Sequence, residues 1–393
     1  MRIRMCVAAA IAFGATAVGG ATSQAGELPD GGEMMFQPTA EEETFVVPGG
    51  VYSLEVDLVG ADGAGTASAA GGRGARVEGT LAVEPGQVFY VNVGGNGSGR
   101  IGGFNGGANG GATTQVAPGG GGGATDIRTI SRFQPGTLDS RVVVAGGGGG
   151  GGASGGVNQN MTPGLAGGAG GNVGSNGSGG SGPSAGTAGG GGGQGTAVAG
   201  GGAGSPGNDP NNNCDPASAA TAGQAGFGGS GGSGFCGTGS GGGGGGGFFG
   251  GGGGGAGANN TSGGVAAYPG GGGGGPGSSL VPSGFASSVS DPGVDPSAYF
   301  AWTLPGTQID AGPKGKIQTR GKFKMKSFEF SSVSPDIDRF ECKLDQREFK
   351  PCSSPKEVRL KLGRHTFKVR AVQIDGSYDT TPAKRKVRVV KRK

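Results

Sequence analysis

Glycine dominates the middle of this chain and restricts what it can fold into. The sequence has 103 glycines among 393 residues, with uninterrupted runs of five to seven between Gly94 and Gly275. Ordering a glycine costs roughly 0.5–1 kcal/mol more than ordering an alanine, and glycine brings no side chain to a core. A conventional hydrophobic core therefore cannot extend through this region. No Gly-X-Y triplet is sustained, which excludes a collagen triple helix.

Ordinary β-strand sequence stands on both sides of the glycine region. Residues 299–304 predict a strand that has no partner beside it, and the nearest candidate partners lie more than 150 residues earlier. The glycine-rich stretch of about residues 146–290 is therefore interpreted as an insertion within one β-domain, not as a linker between two domains. That domain is expected to span residues 41–305.

The strands before the insertion, together with residues 299–304, are enough for a β-sandwich. In residues 52–58 the apolar side chains of Tyr52, Leu54, Val56 and Leu58 alternate with polar ones, so the apolar set is expected to face a core. Other strands are predicted over residues 44–48, 75–83, 88–93, 124–130 and 141–145.

The residues leave two interpretations of the insertion open. Glycine runs can form threefold, polyproline-II-like rods that rise about 3.1 Å per residue. Packed side by side, such rods can exchange backbone hydrogen bonds worth about 0.5–1.5 kcal/mol each. The alternative is a flexible glycine coil. The entropy cost of ordering glycine and the gain from these hydrogen bonds nearly balance. A frame that fixes both ends of the insertion can therefore decide between ordered rods and a flexible coil.

The first residues have the pattern of an export signal. Two arginines precede an apolar, alanine-rich stretch over residues 5–18, and small residues at Ser23 and Ala25 predict cleavage after Ala25. Residues 26–40 are expected to form a flexible N-terminal segment. No later stretch has the ~18 consecutive apolar residues of a membrane-spanning helix. The mature protein is therefore expected to be secreted and to lack a transmembrane segment.

Cysteine usage agrees with an oxidising compartment. Apart from Cys6, four cysteines remain, and four cysteines allow three connectivities. Proximity favours the pairs Cys214–Cys236 and Cys342–Cys352. A metal site is disfavoured because the chain has one histidine, His365, and it lies far from three of these cysteines. No metal or cofactor is expected.

Several motifs around the glycine runs resemble one known family. They are residues 44–48 (TFVVP), 56–61 (VDLVGA), 119–128 (GGGGGATDIR) and 141–148 (RVVVAGGG). In this order they resemble the glycine-rich ectodomain of the anaplastic lymphoma kinase and leukocyte tyrosine kinase receptors, a region shared by many bacterial secreted proteins. The resemblance covers about residues 40–305. It implies a TNF-like β-sandwich interleaved with a bundle of polyglycine helices, and an extracellular region that binds polypeptide ligands. This chain has no kinase domain, so kinase activity is not carried over.

Residues 306–393 predict a second, smaller all-β domain. Strand patterns recur over residues 322–330, 339–344, 349–352, 365–372 and 386–390. Residues 340–352, with their cysteine pair, and residues 363–371 resemble an Ig/fibronectin-like module that is common in secreted actinobacterial proteins. That family is a structural spacer or binding module, and the resemblance brings no catalytic residues.

Charge is divided unevenly between the two domains. Residues 1–305 carry 8 Lys and Arg against 17 Asp and Glu, whereas residues 306–393 carry 23 against 10. Strand alternation places five basic residues on a solvent face, where they form either a solvated β-surface or a surface for an anionic partner such as a cell-envelope polymer. These residues are Lys322, Lys324, Lys326, Lys368 and Arg370. Nucleic acid is not expected, because no aromatic side chains are interleaved to stack on bases.

Candidate chemistry is sparse. Residues 97–102 match G-x-G-x-x-G, but no helix or suitably spaced acidic residue follows, so a dinucleotide site is rejected. With one histidine and scattered carboxylates, no catalytic set is expected. Phe248 and Phe249, inside a glycine run, form either an exposed binding tip or, more often for such pairs, a plug that packs rods against the sheet.

Two function classes follow. The first is a secreted or surface-associated structural and adhesive protein, with a glycine platform and a basic module for surface attachment. The second is a soluble extracellular protein that captures a polypeptide or glycan ligand. An enzyme is not expected.

Overall fold

The computed structural model describes residues 26–28, 31–112, 116–156, 171, 173–182, 188–208, 218–258, 268–332, 334 and 336–392. Every regular element within these ranges is a β-strand, and none of the described residues lies in an α-, 3₁₀- or π-helix. The predicted all-β class is therefore confirmed for this part of the chain. The predicted signal peptide, residues 1–25, lies outside it.

A six-stranded antiparallel sheet forms one layer of the N-terminal domain. Its order is β1-β2-β10-β4-β5-β9. The strands are β1 (Gly26–Leu28), β2 (Gly31–Phe36), β4 (Ser53–Val59), β5 (Ala75–Ala82), β9 (Ala286–Val289) and β10 (Ser297–Thr303).

A four-stranded sheet, in the order β3-β6-β7-β8, forms the second layer. Its strands are β3 (Glu42–Val46), β6 (Val88–Asn92), β7 (Thr125–Arg128) and β8 (Arg141–Ala145). One hydrophobic cluster joins the two layers, with Leu54 and Leu58 of β4 packed in the same core as Phe89 of β6. The predicted alternation is confirmed for Leu54, Val56 and Leu58, whereas Tyr52 precedes β4 and is half-buried.

Strand β10 lies between the two earliest long strands of its sheet. Phe300 stands opposite Met34 of β2 on one side and Val56 of β4 on the other. Its ring is fully buried and packs edge-on against Phe36 and Phe45. The predicted pairing of residues 299–304 with distant strands is confirmed. The glycine region therefore lies within one β-sandwich, between β8 of one sheet and β9 of the other.

Two segments differ from the sequence prediction. The expected flexible segment 26–40 contains β2, which pairs with β10 along its whole length, and Phe36 is buried in the core. The prediction was wrong because β2 is stabilised by this distant strand and not by its own composition. The expected insertion 146–290 includes β9, which pairs with the edge of β5.

The glycine segments form a hydrogen-bonded array without assigned strands or helices. In one run, donors three residues apart point to the same neighbouring segment. The N–H groups of residues 241–246 donate, in order, to the carbonyls of Gly232, Gly272, Gly119, Gly229, Gly275 and Gly122. Residues 241–247 are all buried, and none has a positive φ. Glycine is required here by close approach, since a Cβ at Gly243 would overlap the carbonyl of Ala108.

The C-terminal part is a second β-sandwich. Three strands, β11 (Thr307–Ala311), β13 (Phe323–Ser332) and β16 (Lys356–Lys361), form one sheet in the order β11-β13-β16. The other sheet has the order β12-β18-β17-β14-β15. Its strands are β12 (Gly315–Thr319), β14 (Ile337–Leu344), β15 (Lys350–Cys352), β17 (Gly363–Gln373) and β18 (Ala383–Lys391). Phe328 of one sheet stacks on Phe367 of the other at 4.3 Å between ring centroids.

A disulfide between Cys342 and Cys352 joins neighbouring strands β14 and β15, with 5.8 Å between the Cα atoms. This predicted pair is confirmed. Cys236 is also disulfide-bonded. Cys214 lies outside the described residues, so the Cys214–Cys236 pairing stays a prediction.

Candidate functional site

The four-stranded sheet meets the glycine array at a cluster of arginines. Arg128, the last residue of β7, stands opposite Arg141, the first residue of β8. Both side chains are buried, with 4% and 7% of their surfaces exposed. Two buried cations on paired positions require specific partners, because removing a charge from water is costly unless it is compensated.

Asp126 compensates Arg128. Its carboxylate accepts hydrogen bonds from Nε and Nη2 of Arg128 at 2.7 and 2.8 Å. The side-chain amides of Asn92 and Asn105 donate to the same carboxylate at 3.4 and 3.0 Å. With four donors around it, Asp126 has its hydrogen-bonding capacity filled, and it forms a neutral unit with Arg128.

Arg141 has no such partner. It donates to three backbone carbonyls, those of Leu138 at 2.7 Å, Gly247 at 2.8 Å and Phe248 at 3.0 Å. No carboxylate of the described residues forms an ion pair with it. Burial lowers the pKa of Arg141; attraction by Asp126 opposes this effect and repulsion from Arg128 adds to it. Two of its bonds go to the end of a glycine run, so this side chain ties the array to the sheet.

A third arginine completes the cluster. The guanidinium of Arg132 lies 4.3 Å from the ring centroid of Phe104, and burial lowers the pKa of this group as well. Arg128, Arg132 and Arg141 line one cavity of about 270 Å³, together with Asp126 and the apolar side chains of Leu138 and Phe227.

Phe248 and Phe249 lie beside this cluster and are half-buried. Their rings meet edge to face at 5.3 Å, and the guanidinium of Arg141 lies 4.9 Å from the Phe248 ring centroid. Because both rings are engaged in these contacts, the pair does not form an exposed tip. Its position next to β8 agrees with the plug interpretation.

The five basic residues predicted as one surface lie on two different sheets. Lys324 and Lys326 belong to β13, with Lys322 just before it, whereas Lys368 and Arg370 belong to β17. These strands are on opposite layers of the sandwich. The predicted surface is therefore not a single patch.

The phase of β13 also differs from the prediction. Lys324 and Lys326 stand opposite Leu360 and Val358 of β16, on the same side of the strand as the buried Phe328. The solvent side carries Phe323 and Met325 instead, and Arg359 covers the Phe323 ring at 3.8 Å. Lys322 and Lys324 are nevertheless exposed, and Lys326 is half-buried. Phe328 and Phe330 are both buried, and they determine which side of β13 faces the core.

On β17 the predicted solvent face is confirmed for Lys368, but Arg370 is not free to bind an anion. Its Nη2 lies 2.7 Å from a carboxylate oxygen of Glu341. Its guanidinium also lies over the rings of Phe349 and Tyr378 at 4.4 and 4.1 Å. Arg370 is therefore a structural residue that links β14 and β17.

The strand register reveals a different basic surface, which we call the lysine row. Lys343 of β14, Lys368 of β17 and Lys384 of β18 stand side by side across three strands. A second set, Lys316, Arg388 and Arg364, crosses β12, β18 and β17. No carboxylate of the described residues forms an ion pair with any of these six. Like charges directly opposite each other are destabilising.

Other candidate groups are structural. The two ring nitrogens of His365 lie 2.9 Å from an Asp345 carboxylate oxygen and from the Lys361 carbonyl. Within the described ranges, no group of three or more His, Cys, Asp or Glu could hold a metal ion. Searched over the same residues, the structure has no helix with the length and apolarity needed to cross a membrane.

Comparisons with known proteins add little. No family model matches this sequence. No curated protein matches it either. Among solved structures, fibronectin(III)-like modules of Clostridium thermocellum CbhA are similar to it at 22% identity, over 22% of this chain and 100% of the module. The TM-score of 0.17 is too low for this similarity to indicate a shared fold or function.

The arginine cluster was not found from sequence. Asp126, Arg128 and Arg141 fall in the predicted strands 124–130 and 141–145, and Arg132 lies between these strands. A charge inside a predicted buried strand is the signal that could have identified them, because buried charges require partners.

Proposed function

We propose that this protein is exported and acts outside the cell as a non-enzymatic structural or adhesive protein. In this proposal a β-sandwich holds a rigid glycine platform, and a basic Ig/fibronectin-like module attaches it to anionic cell-envelope polymers. The observation that carries the proposal is the three-residue repeat of hydrogen bonds within the glycine runs.

The repeat supports rods of the polyproline-II type. Such a rod has three residues per turn, so successive N–H groups point in three directions and every third one repeats the first. The run 270–275 has the same repeat, since Gly272 and Gly275 donate to Gly255 and Gly252. A flexible coil has no reason to repeat its partners in this way. Both ends of the region lead into strands of the sandwich, as expected from the resemblance to the TNF-like receptor ectodomains.

The lysine row supports attachment through charge. Three lysines stand at paired positions on neighbouring strands, whose axes lie about 4.8 Å apart, and like charges at such positions repel one another. A polymer with repeated negative charges would offset that repulsion, and its retention would weaken as salt screens the interaction. Teichoic acids and acidic glycans have this chemistry. Phe349 is already covered by Lys343 and Arg370, so the face offers no free ring on which a nucleic-acid base could stack.

The attachment is tested by binding purified protein to anionic bacterial cell walls and eluting it with increasing salt. We expect the double variant Lys368→Glu, Lys384→Glu to elute at much lower salt than the natural protein. The matched control is Lys322→Glu, Lys324→Glu, which makes the same change in net charge on the other sheet and should elute nearly as the natural protein does.

If both double variants eluted at equally reduced salt, net charge alone would determine attachment and the lysine row would have no special role. Salt-independent attachment would reject the electrostatic mechanism. Release of the protein into the medium, together with saturable binding of a polypeptide or glycan, would favour the soluble binding protein instead.

A further inference from the structure

The arginine cavity at the junction of sheet and glycine array contains more positive charge than its wall neutralises. Of its lining residues, Arg128, Arg132 and Arg141 are cations and Asp126 is the anion. Asp126 is committed to Arg128 through two short hydrogen bonds. Arg132 and Arg141 thus face the same cavity, and neither forms an ion pair with a described carboxylate.

Both of these arginines have donors to spare. A guanidinium carries five N–H groups. Arg141, of which 7% is exposed, uses three of them on carbonyls, and Arg132 uses one side-chain donor, on Asn92 at 3.3 Å. Glu42 is near Arg132, but it accepts from the backbone N–H of Arg132 and the hydroxyl of Ser131. Asp139, near Arg141, is exposed to solvent.

The rest of the wall is mixed: Asn105 and Thr137 are polar and accept hydrogen bonds from Arg128, whereas Leu138 and Phe227 are apolar. Leu138 is half-buried, and Phe227 is 56% exposed although it stands at the edge of a cavity. At about 270 Å³ the cavity is close to the lower size limit of small-molecule sites and is too small for a folded segment. Arginines without an ion-pair partner beside apolar side chains favour an anion with a small apolar group.

We propose that this cavity binds a small organic carboxylate. The carboxylate would accept hydrogen bonds from Arg132 and Arg141, since the planar guanidinium matches its two oxygens. The apolar part would lie against Leu138 and Phe227. Such a ligand would neutralise the buried charge of Arg141 and connect the sheet to the glycine array, and nothing in the adhesive function requires it.

The test is calorimetric titration of the full chain with benzoate at constant ionic strength. Sulfate serves as an anion without a ring, and benzyl alcohol as a ring without an anion. We expect one benzoate per chain, with benzyl alcohol and sulfate each binding at least about tenfold more weakly, because each lacks one half of the recognition.

Variants locate the site. Arg132→Gln should weaken benzoate binding about tenfold, since it removes one charge-assisted contact, and the partly exposed position should leave the fold intact. Arg100→Gln, an exposed arginine elsewhere in the same domain, is the matched control and should bind as the natural protein does. Phe227→Ser should weaken benzoate and leave sulfate unchanged.

Absence of benzoate binding would overturn the proposal, and so would equal binding of benzyl alcohol or an Arg132→Gln variant with unchanged affinity. Sulfate binding as tight as benzoate would overturn the assignment of an organic carboxylate. Circular dichroism of each variant verifies that it is folded.

Discussion

A single tyrosine on β10 makes the stability of the N-terminal sheet sensitive to high pH. The hydroxyl of Tyr299 on β10 donates to the Glu33 carboxylate of β2 at 2.7 Å, and this bond raises the pKa of Tyr299 to about 12. The unfolded chain releases the same proton near pH 10. Between these values the folded state binds more protons than the unfolded state, so stability falls as pH rises.

We therefore expect the denaturation midpoint to decrease from pH 10 towards about 12. Below pH 10 the contribution of this group to stability is fully present and does not change with pH. Tyr299→Phe should remove that part of the slope. The measurement is urea unfolding across this pH range, with tyrosinate absorbance recorded in parallel. An unchanged slope in the variant would exclude Tyr299 as its source.

Two glycines separate the effect of close packing from that of chain entropy. A Cβ at Gly274 would overlap the backbone carbonyl of Gly243, whereas a Cβ at Gly202 would meet nothing within 4 Å. Neither residue has a positive φ. Gly274→Ala should therefore destabilise the fold by about 1–3 kcal/mol, as overpacking does.

Gly202→Ala should be neutral or should stabilise by about 0.4–1 kcal/mol, because it restricts the unfolded chain. Chemical denaturation of the two variants measures the difference. If both substitutions had the same small effect, the array would be too loose for carbonyl contacts to matter.

At the scale of elements, the sequence predicted those strands whose stability comes from their own pattern. Residues 52–58 alternate clearly and form β4, and Cys342 and Cys352 indicated the hairpin that they join. Strand β2 was missed because its first residues, Gly31 and Gly32, have low strand propensity. In the structure the Trp302 ring lies where a Cβ of Gly32 would be, so glycine there is a packing requirement set by β10.

Strand β13 shows a different limit. Its sequence has apolar residues at Phe323 and Met325 and again at Phe328 and Phe330, which are two opposite phases of a period-two pattern. Only one phase can face the core. The interior aromatic contacts of Phe328 and Phe330 decide it, and these depend on Phe367 and Phe340 of the other sheet. Local pattern cannot contain that information, which is why the lysines were assigned to the wrong face.

At the scale of the whole molecule, the two sandwiches contact each other through a few hydrogen bonds and through the rings of Tyr52 and Tyr378, whose centroids are 6.4 Å apart. The Tyr378 N–H donates to the Gly50 carbonyl at 3.0 Å, and the Tyr52 N–H donates to the Ser377 hydroxyl at 3.1 Å. By contrast, β9 and β10 are integral to the N-terminal sheet, and the rings of Phe36, Phe45 and Phe300 pack together in its core. The position of β10 beyond the glycine region therefore matters more for folding than the second sandwich does.

Two shortened chains test this conclusion. Residues 26–305 retain β10 and should fold, with slow amide hydrogen exchange in the glycine runs. Residues 26–285 lose β9 and β10 and should not fold. Loss of one buried phenylalanine such as Phe300 already costs about 3–5 kcal/mol of stability. That is comparable to the total stability of a typical domain, about 5–15 kcal/mol.

Slow exchange in the glycine runs of the shorter chain would mean that the array orders itself without the sandwich. Fast exchange in the longer chain would mean that the sandwich alone does not hold it.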